Sequence, residues 1–320
     1  MTEDDCIEAL REAPGDGERW AVYADVLQGR GDVRGRLIAL ALARKTRAER
    51  QLRDKHRKHL ASPAFWSLLD AGALEAEWAF GHLWRATLHF THEPQQFDPA
   101  DLDAVLASPL SCALDSVSLH LPGDVHQATR ALDVLRARLP ALRRLEVSAN
   151  LTADALKAEG LLDGLPRLRS ARLFGLSAVP RFTAPRLESL TAWVSDWDGA
   201  PPCRLGAVTA PALRELMLRV RVDSQPALTR WVREDLKAPQ LRRLGLEAWV
   251  TSQLIEAVAD APFAATLERL AVLTVDEASA QVLLTRREAF PKLERLEARF
   301  FRTTQAVEAR VREAYGQASR

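Results

Sequence analysis

Histidine pairs are the first residues in this sequence whose types and spacing could do chemistry, because imidazole binds metals and titrates near neutral pH. His56 and His59 have a spacing that metal ligands use on a helix, but the basic segment around them offers no further ligand. His89 and His120 occupy equivalent positions in two short apolar segments, so they are weak candidates for a metal site or an acid–base pair on adjacent strands. Solvated neighbouring side chains are the simpler interpretation of both pairs, and we predict no bound metal.

Other catalytic signatures are missing from the sequence. It contains no Gly-x-Ser-x-Gly, His-Glu-x-x-His or Cys-x-x-Cys motif. Gly29, Gly31 and Gly35 follow a predicted helix and not the strand that precedes a dinucleotide-binding loop. The three cysteines are far apart, which favours reduced thiols over a disulfide framework. We therefore predict a protein that is not an enzyme and needs no cofactor.

The composition is that of a globular chain. Of 320 residues, 47% are hydrophobic and 27% are charged. The 44 basic and 43 acidic side chains give a net charge of +1, which excludes binding to nucleic acid through overall charge. No cationic or apolar leader opens the sequence and no stretch of about 18 apolar residues occurs, so we expect a cytoplasmic protein without a membrane span.

Charge is nevertheless separated locally. Residues 1–32 carry nine acidic and three basic side chains, whereas 33–60 carry ten basic and two acidic. We expect the acidic helices to neutralise part of a long basic helix running from Val33 to about Leu60, with the rest solvated. The alternative function is a polyanion-binding adaptor, in which the basic helix 34–58 contacts nucleic acid or an anionic membrane through Arg44, Lys45, Arg47, Arg50, Arg53, Arg57 and Lys58.

An internal repeat organises most of the remaining chain. The phrase Leu142-x-x-Leu145-x-Val147 returns many times, and several copies follow an Ala-Pro or Leu-Pro pair. Spacings between copies run from 19 to 31 residues with a mean near 26. The first apolar positions of the nine copies are 83, 114, 142, 168, 187, 213, 241, 267 and 293.

The phrase L-x-x-L-x-L at this period resembles the leucine-rich repeat, and the resemblance covers roughly residues 80–302. It implies an α/β solenoid in which each copy supplies one strand of a parallel sheet on the concave face and helices lie on the convex face. The family's Asn after the strand is matched only by Asn150. Apolar periodicity predicts connecting helices over 125–139, 152–162, 225–236, 253–261 and 277–287, with irregular connections between 176 and 185 and between 195 and 210.

The first sixty residues form a different unit, with two short helices predicted on either side of Pro14-Gly15-Asp16-Gly17. The unit contains the phrases Ala13-Pro14-Gly15-Asp16, Tyr23-Ala24-Asp25-Val26-Leu27, Gly31-Asp32-Val33-Arg34-Gly35 and Leu37-Ile38. These phrases resemble the repeat-companion domain at the N-terminus of many bacterial leucine-rich repeat proteins, although Val26 stands where that family has Trp. We predict a helical companion-like domain at 1–60, a helical linker or cap at 61–80, the solenoid at 81–302 and a capping helix at 303–320.

Alternation along the strands predicts which side chains the concave face presents. Phe174, Trp193 and Met217 fall at outward positions of three consecutive strands, and Arg172 and Arg219 flank them, with Arg243 and Glu247 on the next strand. Aromatic, Met and Arg side chains are enriched at interface hot spots. The alternative is that the Pro-rich loop with Trp197, Pro201 and Pro202 covers the cluster.

The predicted function is non-enzymatic recognition of another protein on this concave face, as the resemblance implies. An inhibitor or immunity-type protein is one specific version. We expect a monomer whose partner is a protein, and we favour neither nucleic acid nor membrane as the main partner. An enzyme at the His89/His120 edge ranks third.

Overall fold

The computed structural model describes residues 1–90, 98–121, 125–139, 141–149, 162–176, 178–194, 204–220 and 225–316. They form two compact units, Met1–Val147 and Ser148–Arg320. Asn150, nearly all of the helix predicted over 152–162, and the loop with Trp197, Pro201 and Pro202 lie outside the described residues. The predicted α/β class is confirmed, because helices alternate with a mostly parallel sheet.

The first unit begins with helices and then alternates them with strands. Side chains of Thr2, Asp16, Asp32 and Ser62 accept hydrogen bonds from the first turns of their helices, which explains where four of these helices begin. The helices are α1 (Glu3–Glu12), α2 (Gly17–Gly29), α3 (Val33–Leu42), α4 (Thr46–Lys55), α5 (Arg57–Leu60), α6 (Pro63–Asp70), α7 (Pro99–Leu106) and α8 (Val125–Arg138). The strands are β1 (Leu74–Ala79), β2 (His82–His89), β3 (Ser116–Leu121) and β4 (Arg144–Ala149).

The long basic helix predicted from Val33 to Leu60 is wrong, because three helices occupy that segment. Helix α3 ends where Lys45 N–H reaches back to the Leu40 carbonyl and Arg44 adopts a φ of 55°. This hydrogen-bond pattern is the Schellman C-cap, in which the residue with left-handed backbone conformation is usually Gly. Since that residue is Arg44, the sequence carries no Gly or Pro to mark the break.

The helical linker or cap predicted over 61–80 is right for α6 and wrong for the residues after it. Helix α6 is followed by β1, which pairs antiparallel with β2 and has a register irregularity at Glu77/Trp78. Leu74 is buried while Glu75 and Glu77 are exposed, the alternation of a strand with one covered face. We missed this strand because it lacks the repeated phrase.

Motif residues of the first unit hold its helices together. Gly35 of α3 lies against α2 so closely that an added Cβ would be 2.6 Å from the Ala24 carbonyl oxygen. Arg34, from the same phrase, donates to Asp32 and Glu3 and also to the Tyr23 hydroxyl. The phrases that carry the resemblance are therefore packing and hydrogen-bonding positions in this chain.

His82, the first residue of β2, is completely buried and packs against the rings of Trp20 and Tyr23. Its Nδ1 lies 3.1 Å from the Phe80 carbonyl oxygen. Burial lowers the pKa of His82 to about 4, whereas an exposed histidine titrates near 6.5. The folded protein therefore keeps this ring neutral at a pH where the unfolded chain takes up a proton.

Acid should weaken the first unit through this histidine. As the pH falls from about 6.5 to 5, only the unfolded state protonates residue 82, so we expect an unfolding free-energy loss of roughly 2 kcal/mol beyond that of His82→Asn. Urea unfolding at both pH values measures the difference, since asparagine cannot titrate and can still donate to Phe80. An equal loss of unfolding free energy between the two pH values in the native protein and in His82→Asn would contradict the proposed effect of His82.

The second unit contains the remaining strands and four α-helices among its described residues. The helices are α9 (Gln225–Arg230), continued by one π-helical turn at Trp231–Asp235, then α10 (Ser252–Asp260), α11 (Glu277–Thr285) and α12 (Gln305–Tyr315). The long strands are β5 (Ser170–Leu176), β8 (Ser189–Val194), β11 (Glu215–Arg219), β13 (Arg243–Val250), β14 (Arg269–Val275) and β15 (Arg295–Phe300). Two-residue strands are β6 (Ala178–Val179), β7 (Phe182–Thr183), β9 (Arg204–Leu205), β10 (Val208–Thr209) and β12 (Leu236–Lys237).

All nine predicted strand positions are strands, and those of the second unit pair in parallel in the order β5-β8-β11-β13-β14-β15. Equivalent residues of the repeated phrase stand opposite each other, for example Leu190, Leu216 and Leu244. The second and third apolar residues of the phrase are buried on one face in every copy that is described there, except Ala298, which is half-buried. The alternation predicted from sequence is confirmed.

The recurring Ala-Pro pair has a structural reason. The two residues before it form short strands β7, β10 and β12, which pair in parallel as a second sheet. Ala184 and Ala210 are buried and donate to carbonyl groups of the next copy, and the proline that follows starts the turn, where no N–H is required. Among the described residues, no helix is long and apolar enough to cross a membrane.

Candidate functional site

The face of the second unit's sheet opposite its buried leucines is here named the solvent face. Strands β5, β8, β11 and β13 place Phe174, Trp193, Arg219 and Glu247 side by side in one row. The neighbouring row contains Arg172, Thr191, Met217 and Gly245. The structure therefore brings together the predicted site residues, and Met217 lies diagonally to the two rings and not in their row.

Phe174 and Trp193 form the aromatic centre of this face. Their ring centroids are 4.8 Å apart and their planes are inclined at 71°, the edge-to-face arrangement that aromatic pairs favour. Phe174 is half-buried, whereas 42% of Trp193 is exposed to solvent. Trp193 is therefore an exposed indole whose ring is contacted by a second aromatic ring on the neighbouring strand.

Arg219 borders Trp193 on the other side. Its guanidinium carbon lies 5.4 Å from the centre of the indole ring, within cation–π range. A nitrogen of the same guanidinium lies 3.8 Å from the Glu247 carboxylate. Arg219 therefore links the aromatic pair to an acidic residue on β13 and keeps Trp193 between two neighbours.

Met217 is exposed over 37% of its surface and lies across Gly245. A Cβ built on Gly245 would be 2.1 Å from the Met217 sulfur, so the missing side chain makes room for the thioether. Sequence reasoning did not single out Gly245, although a glycine at an outward strand position is a signal of close approach. Leu273 of β14, a further exposed apolar residue, lies at a predicted outward position but was not among the predicted binding residues.

Charges on the solvent face are largely paired. Arg243 lies 2.6 Å from the Glu215 carboxylate on the adjacent strand, and Arg269 and Arg295 both approach Glu297. Arg172 is exposed at the edge of the aromatic pair. Exposed ion pairs of this kind each contribute less than about 1 kcal/mol to stability.

The histidine pair lies in the first unit. His89 and His120 stand opposite each other on β2 and β3, and their rings stack at 4.7 Å with an angle of 5°. His89 Nε2 is 3.1 Å from Glu75 of β1. Burial, followed by the charge of His89, lowers the pKa of His120. Within the described ranges, no group of three or more His, Cys, Asp or Glu side chains could hold a metal.

The basic segment is divided between structural and exposed side chains. Arg53 stacks on Trp78 at 4.0 Å and pairs with Glu49, while Arg57 forms two hydrogen bonds with Asp70. Neutralisation by the acidic residues 1–32 is seen at Arg34, which pairs with Glu3 and Asp32. The other ion pairs of Glu3, Glu12 and Asp16 go to Arg19 and Arg30, outside the basic segment. The exposed members of the segment are Arg44, Lys45, Arg47, Arg50, Lys55 and Lys58.

Comparisons with known proteins add little to this description. No family model and no curated protein matches the sequence. One similar solved structure is that of a Bacteroides fragilis protein determined as a structural-genomics target, with a TM-score of 0.42 and 15% sequence identity. The match covers 63% of this chain and spans 64% of that protein's length.

Proposed function

We propose that this protein recognises another protein through the solvent face of its second unit, without catalysing a reaction. Phe174 and Trp193 are the centre of the contact, Met217 and Arg172 extend it, and Arg219 orients it. An inhibitor or immunity-type protein is one specific version of this function. The residues Arg243 and Glu247 belong to the polar border.

We further propose that the strands of residues 81–302 are leucine-rich repeats stacked as a solenoid. Support comes from the parallel pairing of equivalent phrase positions and from the burial of the apolar residues on a single face. Each strand in such an array depends on its neighbours for its core, which leaves the opposite side chains free to vary. Because these outward side chains can vary without disturbing the core, they can determine which partner the face binds.

The observation that carries the proposal is the exposed yet fixed Trp193. Burying an indole against a partner releases water from a large apolar surface, and hot spots are enriched in tryptophan for this reason. Because Phe174 and Arg219 already hold the ring on two sides, binding loses little side-chain entropy. Most affinity is therefore expected from one place on the face.

The test begins with affinity purification of partners from a lysate of the source organism, followed by calorimetry with the purified partner. We expect Trp193→Ala combined with Phe174→Ala to weaken binding by about 30-fold or more, the effect of a hot spot worth about 2 kcal/mol. The unfolding midpoint should change little, since the fully buried core is untouched.

Phe301→Ala provides a matched control. Phe301 is also an aromatic residue of the second unit, is 41% exposed and lies under an arginine, with Arg302 5.1 Å from its ring. We expect the control variant to bind as the native protein does. Unchanged affinity after loss of Trp193 and Phe174 would refute the proposed site.

A further inference from the structure

We infer that the exposed side of α4 and its flanking turns bind the phosphate backbone of double-stranded nucleic acid, independently of base sequence. This surface belongs to the first unit and does not depend on the protein-recognition function proposed for the second. It is defined by six exposed cations, Arg44, Lys45, Arg47, Arg50, Lys55 and Lys58, and is named the basic surface below.

The cations of the basic surface make no direct contact with an acidic group among the described residues, although the charge of Arg50 also acts on Glu49. None of the six forms an ion pair or hydrogen bond through its side chain within the part of the chain that is described. The two acidic residues of the segment are already engaged, Glu49 by Arg53 and Asp54 by Arg57. A phosphate approaching this side therefore meets positive charge without having to break an existing pair.

Helix periodicity explains how the cations come to share one side. Glu49, Leu52, Arg53 and His56 recur at intervals of three and four and are buried or half-buried, so they face the protein. Arg47, Arg50 and Lys55 occupy the opposite side, spread over about 12 Å of the helix axis. The exposed Asp54, which pairs with Arg57, lies on that side as well. The spread of the cations covers several successive phosphates of a duplex.

The side chains beside the cations indicate which class of polyanion the basic surface binds. A helix that lies in a bilayer surface needs exposed apolar residues beside its cations, whereas the apolar residues of α4 are turned inward and Leu52 is half-buried. Single-stranded nucleic acid is bound by stacking bases on aromatic rings, and the basic surface carries no aromatic residue. Arginine and lysine contacts to a duplex backbone require neither feature.

Fluorescence anisotropy of the full-length protein with a labelled duplex of about 20 base pairs at about 50 mM salt tests the inference. We expect two unrelated sequences to bind equally and affinity to fall as salt rises. Arg47→Glu combined with Arg50→Glu should reduce affinity about tenfold or more and lower the salt slope by about 2.

Arg186→Glu combined with Lys292→Glu is the matched control, because it changes net charge equally at exposed positions of the second unit. We expect it to bind as the native protein does, and thermal unfolding should show both variants folded. No duplex binding at low salt, equal loss in both variants, or binding to phosphatidylserine vesicles but not to duplex would each overturn the inference.

Discussion

Gly35→Ala is expected to lower the free energy of unfolding of the first unit by about 3 kcal/mol. The new methyl group would lie 2.6 Å from the Ala24 carbonyl oxygen and 2.9 Å from the Gln28 amide nitrogen. Both atoms belong to the backbone of α2, which cannot turn aside as a side chain would. Helices α2 and α3 must therefore move apart, and the buried rings of Trp20 and Tyr23, which share a core cluster with Ile38 of α3, lose contacts.

Gly29→Ala separates this steric effect from the general effect of removing a glycine. Gly29 is the last residue of α2, and no atom lies within 4 Å of a Cβ added there. Alanine stiffens the unfolded chain and favours helix, so this variant should gain about 0.5 kcal/mol. Urea unfolding followed by Trp fluorescence compares the two variants, and a Gly35→Ala loss below 1 kcal/mol would show that the helices adapt.

Arg34→Met is expected to cost the first unit roughly 3 kcal/mol. Only 13% of the arginine side chain is exposed, and its nitrogens lie 2.6 Å from Asp32 and 2.9 Å from Glu3. Burial alone would raise the pKa of Asp32, but the hydrogen bonds from Arg34 outweigh it and the pKa is lowered. Methionine fills a similar volume but removes the guanidinium, so the Tyr23 hydroxyl loses the hydrogen bond it accepts from Arg34. Asp32 keeps only the bond from the backbone N–H of residue 34, while Glu3 still accepts from Arg30 and the Tyr23 hydroxyl.

Arg30→Met is the matched comparison, since Arg30 contacts the same Glu3 carboxylate at 2.9 Å but is 52% exposed. An exposed ion pair contributes less than about 1 kcal/mol, so this variant should be close to native. Chemical unfolding at pH 7 distinguishes the two. If both variants lose a similar free energy of unfolding, Arg34 contributes no more than an exposed ion pair does.

The repeat was predictable because its signal is local. Three apolar residues at fixed spacing recur from Leu83 to Leu293, and a parallel strand buried on one face requires no other information. The same alternation placed Phe174 and Trp193 on adjacent strands. Their edge-to-face contact was not predictable, since ring angles depend on rotamers and on what each neighbour leaves open.

The incorrect secondary-structure predictions fall at positions where the backbone adopts a conformation that the residue type does not favour. Arg44 takes a left-handed conformation that its side chain does not favour, so the helix break was invisible. Strand β1 was missed because its partner runs antiparallel and lies next in the chain, outside the repeat period. Partial neutralisation of the basic segment was predicted for one long helix, but it is confined to Arg34, because the other ion pairs of Glu3 and Asp16 go to Arg30 and Arg19.

The reversed strand β1 also has a consequence for behaviour at high concentration. A parallel sheet built from a repeated phrase can in principle be extended by further strands. The unpaired N–H and C=O groups of its edge strand could then bind a strand from another molecule. At the β2 edge that position is taken by a strand of opposite direction, interrupted by an irregularity and bearing Glu75 and Glu77 on its exposed side. Chain growth by strand addition is thereby discouraged at this edge, which protects the protein against ordered aggregation.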